Sequence, residues 1–308
     1  MKKPYWMAIV FTIVLIAFTT FMLIDTFVIP HSIVALSEST TESTTESSFE
    51  SSIESETTLS LAVEEETLEI TSSTYSDENI RIKIDEVSEN GVVYYVADVV
   101  VTSAELLKTA LAEDTYGKNI TAATSEIAES HDAIFAVNGD YYGFREEGYV
   151  LRNGTLLRNE ANGLETEALV IDENGNFSIV YESEITAEAL KDQGAWQILS
   201  FGPALVIDGE TVLRNTKNGS KDNPRTAIGQ IEEGHYLFVV VDGRSATSEG
   251  VTLEELANIM LKYGCETAYN LDGGGTATMW FNGSVINNPT DGKNDGERNV
   301  SDIVYIGY

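Results

Sequence analysis

The sequence predicts a mixed α/β (α+β) fold: a large, mostly antiparallel sheet system with a few packed helices, preceded by one N-terminal transmembrane helix. Three observations carry this. Alternating or continuous apolar runs bounded by Gly, Asn and Asp outnumber runs of helical period. Neighbouring strand candidates are joined by short turns such as Asn-Gly, the usual sign of a hairpin. The first apolar run, from Trp6 to Ile24, holds nineteen residues without a charge, enough to span a hydrocarbon core as a helix.

The elements follow in chain order. Lys2 and Lys3 precede the apolar run and Asp25 follows it, which implies a cytoplasmic N-terminus and an exported remainder. A cleaved signal peptide with a site after Ala35 is the alternative; the run is longer than the usual signal-peptide core, which favours a retained anchor. Residues 37–60 are almost entirely Ser, Thr and Glu, with glutamates at 38, 42, 46, 50 and 54. On a helix these acids would stack on one face and repel, so the segment reads as an extended, solvated tether. The expected division is 1–30 cytoplasmic tip and membrane anchor, 31–75 tether, and 76–308 folded domain.

Within that domain "IRIKIDEV" and "GVVYYVADVVV" read as strands, the second apolar enough to be central. "SAELLKTALAED" and "TAATSEIAESH" read as helices, with Thr121 or Thr124 capping the latter. "AIFAVNGD" is a short buried strand, and "EALVIDENGNFSIVY" a hairpin about an Asn-Gly turn. "TAEALKDQ" is a brief helix. "WQILSFGPALVIDGE" and "RTAIGQIEEGHYLFVVVDGR" supply further strands. "TLEELANIMLKYG" is the clearest helix: Leu253, Leu256, Ile259, Met260 and Tyr263 share one face, Thr252 caps it and Gly264 stops it. "TAYNLD", "ATMWFNG" and "DIVYIGY" close the chain as strands.

Charge narrows the function. With 18 Lys+Arg against 50 Asp+Glu the formal net charge is −32, which argues against a nucleic-acid partner, because phosphate-backbone binding needs a basic surface. The single cysteine, Cys265, forbids an internal disulfide and reads as a buried small hydrophobe. An exported chain without disulfides points to a bacterial surface. Six Asn-x-Ser/Thr sequons occur, at Asn119, Asn153, Asn176, Asn218, Asn282 and Asn299, several of them within Asn-Gly turns that account for them without any sugar.

Three strand ends share one pattern, an apolar run that stops at Asp beside Gly: "FAVNGDYYG", "FVVVDGRS" and "AYNLDGGG". They place Asp140, Asp242 and Asp272 where buried strands leave the core, positions from which carboxylates converge on a cleft. Each alone is also an ordinary turn dipeptide. Asn138 and Asn270 add amides, and the run Gly273, Gly274, Gly275 before Thr276 exceeds what a hairpin needs. Cations are few, so their placement is informative: Arg152, Arg225, Arg244 and Arg298 all lie in Gly- or Asn-rich segments, where a planar guanidinium grips phosphate through two parallel bonds or pairs with one of the many acids. No Walker lysine, HExxH or GxSxG is present, so a phosphate loop, a histidine zinc site and a serine hydrolase elbow have no residues to use.

In these segments the chain resembles the phosphodiester glycosidase domain family. The matching stretches are "AVNGDYYG", "NPRTAIG", "VVVDGRSATSEGVTLEELANIMLKYGCETAYNLDGGGTATM" and "GERNVSDIV", in the family's order. The resemblance implies a mixed α/β fold and hydrolysis of a sugar-1-phosphodiester into free sugar and a phosphomonoester. Bacterial members are linked to exopolysaccharide, which makes a cell-surface carbohydrate phosphodiester the expected partner and the membrane exterior the expected location.

That chemistry sets expectations for the site. Glycoside hydrolysis normally uses two carboxylates. A phosphate leaving group, with a second pKa of about 6, departs without full protonation and instead needs cationic stabilisation. Asp140, Asp242 and Asp272 are therefore expected around the sugar, as base or nucleophile and as holders of sugar hydroxyls. Arg225 and Arg244, then Arg152, are expected on the phosphate, with Arg298 structural. Asn138 and Asn270 would flank the sugar, and Gly273 to Gly275 with Thr276 would offer backbone N–H groups as an anion nest. No cofactor is expected; Asp and Asn oxygens suit Mg²⁺ or Ca²⁺, but no regular ligand spacing supports either. Two other readings compete. A non-catalytic carbohydrate-binding module would use Tyr141, Tyr142, Phe144 and Trp280 as sugar platforms. A metal-dependent phosphodiesterase would cut at phosphorus.

Overall fold

The computed structural model describes residues 4–35, 68–163, 165–212 and 219–308. Its frame is three antiparallel sheets around one core. The largest has nine strands, in the order Glu210–Thr211, Ala204–Ile207, Thr267–Asn270, Arg225–Glu232, His235–Val241, Val92–Val101, Ile80–Glu89, Thr74–Ser76 and Glu69–Ile70. A second sheet of five runs Ser284–Val285, Met279–Phe281, Phe135–Asn138, Asp302–Ile306 and Leu107–Leu111. A third of five contains Thr155–Arg158, Val150–Arg152, Ala195–Leu199, Glu167–Asp172 and Phe177–Tyr181.

Strand alternation explains how three sheets share a core. In His235–Val241, Phe238 and Val240 face the common interior while Leu237, Val239 and Val241 face the opposite side. Phe135 and Val137 of the second sheet, and Leu169 and Ile171 of the third, face the same interior. The outer faces are covered by helices. Leu253–Lys262 packs Leu253, Leu256 and Met260 on the nine-stranded sheet, worth about 1.5–3 kcal/mol for each large side chain buried. Thr124–Ser130 covers the second sheet through Ile127, and Ala187–Asp192 covers the third through Leu190.

The expected hairpins are present. Ile80–Glu89 and Val92–Val101 pair through Asn90 and Gly91, both at positive φ, the geometry in which a two-residue turn matches strand twist. Glu167–Asp172 pairs with Phe177–Tyr181, and Arg225–Glu232 with His235–Val241. Thr252 caps its helix in a capping box with Glu255.

Two local expectations are corrected. "SAELLKTALAED" is not a helix: single turns at Ala104–Leu106 and Ala112–Asp114 flank the strand Leu107–Leu111, whose pairing with Asp302–Ile306 outweighs local helix propensity. Neither Thr121 nor Thr124 caps the next helix. Ala123 holds that position, and the Glu126 carboxylate accepts its N–H at 3.1 Å.

At the N-terminus, helix Pro4–Phe27 contains the 18-residue window Ile9–Thr26, with mean hydropathy 2.2 and no residue buried against the protein. Strand His31–Ala35 follows and pairs antiparallel with Thr115–Lys118. Of the expected tether, 36–67 lies outside the described residues, while Glu69–Ile70 is the edge strand of the large sheet and Thr74–Ser76 the strand next to it.

Candidate active site

Two strands from different sheets end side by side. Phe135–Asn138 leaves the second sheet and Thr267–Asn270 leaves the nine-stranded one. Their continuations are clasped: Asp272 N–H donates to the Gly139 carbonyl at 3.2 Å, and Asn138 Nδ2 donates to the Asp272 carbonyl at 2.7 Å. Asp140 and Asp272 therefore emerge together. Both line a cleft of about 540 Å³ whose other walls include Thr276, Arg298 and the aromatics Tyr141, Phe144 and Phe201.

Asp140 is held from behind. Its Oδ2 accepts Arg152 Nη2 at 3.1 Å and Ser200 N–H at 3.0 Å. Its own N–H donates to Asp302 Oδ1 at 3.0 Å. Arg152 also donates from Nε to Asp302 Oδ2 at 2.8 Å and from Nη1 to the Ile198 carbonyl. Arg152 and Asp302 are fully buried, so one guanidinium faces two carboxylates in a dry interior. Burial, resisted first by Arg152, raises the Asp302 carboxyl to about 7.

Asp272 sits differently. Burial raises its carboxyl above the ordinary value, against the Gly273 N–H, which donates to Oδ1 at 2.8 Å, and against Arg298. Arg298 Nη2 lies 3.7 Å from Asp272 Oδ2 and donates to the Gly273 carbonyl at 3.2 Å. Half of the Arg298 side chain remains exposed, so a cation stands at the cleft wall beside an acid. Thr276 is tied back by its hydroxyl to the Gly273 carbonyl at 2.9 Å.

The other expected site residues fall elsewhere. Asn138 is a buried strut: its Oδ1 accepts the Thr226 hydroxyl at 2.7 Å and Thr278 N–H at 3.2 Å. Asn270 is buried with Nδ2 on the Gly202 carbonyl and its Oδ1 without a hydrogen-bond partner. Arg152 lies beneath Asp140 and away from solvent. Asp242 does not line the cleft. Its carboxylate accepts Asn287 Nδ2, Asn288 N–H and Asn288 Nδ2, each at 3.0 Å, so it pins the 287–288 segment. Arg225 donates to the carbonyls of Val251 and Lys221, and burial, then the neighbouring Arg244, pulls its guanidinium below the ordinary value. Arg244 donates to Asn223 Oδ1 at 3.0 Å and packs on the glycine run.

That packing explains the three glycines better than an anion nest does. Gly274 has φ +70°, and a Cβ there would lie 2.9 Å from Arg244 Nη2. Gly274 N–H donates to the Pro224 carbonyl at 2.9 Å and Gly273 N–H to Asp272. Two of the expected nest donors are thus already used by the protein. Gly275 packs against Asp291. Of the aromatics proposed as platforms, Tyr142 and Trp280 are buried, whereas Tyr141 and Phe144 are exposed and stacked, ring centroids 4.7 Å apart. Arg145 lies over Tyr141 and Phe201 at 5.6 and 5.0 Å. Sequence reasoning set Arg298 aside and did not single out Asp302 or Phe201; "GERNVSDIV" held two of these three, but nothing local says that it folds against Asp140.

A phosphodiester glycosidase family profile matches residues 131–307, which include both clustered acids and both arginines that touch them. The chain belongs to the phosphodiester glycosidase family. It is 29% identical over 273 residues to the SPbeta prophage-derived uncharacterized protein YomE of Bacillus subtilis, a match covering 80% of this chain and 42% of that protein. It is 29% identical over 208 residues to N-acetylglucosamine-1-phosphodiester alpha-N-acetylglucosaminidase of Bos taurus, covering 60% of this chain and 39% of that enzyme. The chain thus spans less than half the length of these curated relatives. The family fold is also seen in the zebrafish enzyme of the same name, a catalytic domain auto-inhibited by its pro-peptide. The TM-score is 0.59 at 22% identity, covering 74% of this chain and 83% of that one.

Proposed function

We propose that the protein hydrolyses the glycosidic bond of a sugar-1-phosphodiester outside the cytoplasm, releasing free sugar and a phosphomonoester. The carrying observation is the pair Asp140 and Asp272 with Arg298 in one aromatic-walled cleft. Family membership supports the reaction class, and the names of the animal relatives make N-acetylglucosamine the first sugar to test.

The residues divide the work by environment. Asp140, immobilised through Oδ2, is the carboxylate that attacks the anomeric carbon or activates water. Asp272, whose carboxyl burial raises above the ordinary value, lies beside it in the cleft and assists departure of the bridging phosphate oxygen, which needs no full protonation. Arg298 stabilises charge developing on the phosphate, the role first expected of Arg225 and Arg244. Tyr141, Phe144 and Phe201 offer faces to the sugar or to the alcohol portion. The N-terminal helix serves as the anchor, with cell-surface material, including exopolysaccharide, as the substrate pool.

The test is hydrolysis of N-acetylglucosamine-1-phosphodiesters in ¹⁸O water. Label in the sugar and loss of turnover in Asp272→Asn are expected. Label in phosphate would transfer the reaction to phosphorus, and binding without turnover would leave a carbohydrate-binding module.

A further inference from the structure

The end of the apolar helix is joined to the cleft by a short, continuous set of contacts. Asn119 Nδ2 donates to the carbonyls of Thr26 and Ile29 at 3.2 and 3.3 Å, the point where the apolar window stops. Asn119 N–H donates to the Gly143 carbonyl, inside the turn Tyr142–Phe144. Strand His31–Ala35 pairs with Thr115–Lys118 directly before Asn119. That approach is possible because residue 117 lacks a side chain: a Cβ on Gly117 would lie 2.1 Å from the His31 carbonyl oxygen. Lys118, the register partner of His31, is paired with Glu146 just past the turn. Thr121, two residues beyond Asn119, already lines the cleft.

The turn so fixed carries Tyr141 and Phe144, 37% and 45% exposed, at the cleft mouth. Solvent-exposed aromatics beside a membrane-spanning segment are the side chains that settle at the headgroup level. We infer that the cleft opens at the bilayer surface, seated there by Asn119 and the His31–Ala35 strand, and that its substrate is a glycosyl phosphodiester of a membrane-embedded alcohol. This rests on the glycosidase reading above and on the helix serving as the anchor. The lipid tail stays in the bilayer, Tyr141 and Phe144 meet the interface, and the sugar phosphate reaches Asp140, Asp272 and Arg298.

The experiment uses the full chain reconstituted in phosphatidylcholine vesicles. Two substrates carry the same N-acetylglucosamine-1-phosphate, one esterified to hexadecanol and one to methanol. Confinement of enzyme and lipid ester to one surface should favour the hexadecyl ester by at least about tenfold. A flexible Gly-Ser spacer of about ten residues inserted between Ile29 and Pro30 lifts the domain by its coil dimension; it should abolish that preference and leave cleavage of the methyl ester unchanged. Independently of turnover, Glu147→Cys places a label at an exposed position that leaves the Lys118–Glu146 pair intact, Cys265 being buried, and its fluorophore should be quenched by headgroup spin-labelled lipid. Equal rates on both esters with and without the spacer, an unquenched label, a preference for a polysaccharide-borne phosphodiester, or a mature chain lacking the helix would each overturn the inference. Quenching without cleavage of either ester would remove the glycosidase reading while leaving the membrane seating in place.

Discussion

Asp302 shows how a residue remote in sequence governs one at the cleft. It accepts the Asp140 N–H and shares Arg152 with the Asp140 carboxylate. Two acids on one buried guanidinium leave a charge uncompensated, and a retained proton on Asp302 relieves it. The native state then holds a proton that the unfolded chain releases near the ordinary carboxylate value of 3.8. Stability from this group is present at low pH and is lost as pH rises to about 7. Asp302→Asn should flatten that slope in a series of Tm measurements against pH. Arg152→Met should cost about 3–5 kcal/mol in denaturant unfolding, because it strands buried carboxylates. Arg298→Ala faces solvent and should leave Tm nearly unchanged while lowering kcat/KM by about 10²-fold or more, as loss of a transition-state charge partner does; Arg298→Lys should restore part of it. These residues also mark what the sequence could tell. Asp140 and Asp272 were legible because an acid beside glycine at the end of an apolar run announces a strand leaving the core. Asp242 carries the same signature, and its different fate was decided by Asn287 and Asn288, whose approach is a tertiary fact.

At the scale of elements, helix Leu253–Lys262 was readable throughout, since its apolar face, Thr252 cap and terminal glycine all act locally. Thr252→Ala should therefore cost about 1 kcal/mol by equilibrium unfolding, without moving KM. The strand Leu107–Leu111 was illegible for the opposite reason. Its sequence favours a helix, and only pairing with Asp302–Ile306 makes it extended. The glycine run divides the same way: its backbone demand was visible, but the neighbour responsible was not. Gly274→Ala forces φ +70° on a residue with a Cβ and drives it into Arg244, so thermal stability should fall along with any change in substrate affinity.

Across the whole molecule, excess negative charge repels any anion, the proposed phosphodiester included. A net charge of −32 slows the approach of a soluble phosphodiester, and salt screens that repulsion as the Debye length shortens from about 30 Å at 0.01 M to about 8 Å at 0.15 M. With the methyl ester, kcat/KM should rise over that range, opposite to the trend for a basic enzyme. Asp302–Ile306 lies within its sheet, between Phe135–Asn138 and Leu107–Leu111, and follows every other strand among the described residues. The Asp140 N–H and Arg152 Nε reach a common carboxylate only once this strand has slotted between its two neighbours, so completing the sheet and fixing the cleft acid are one event.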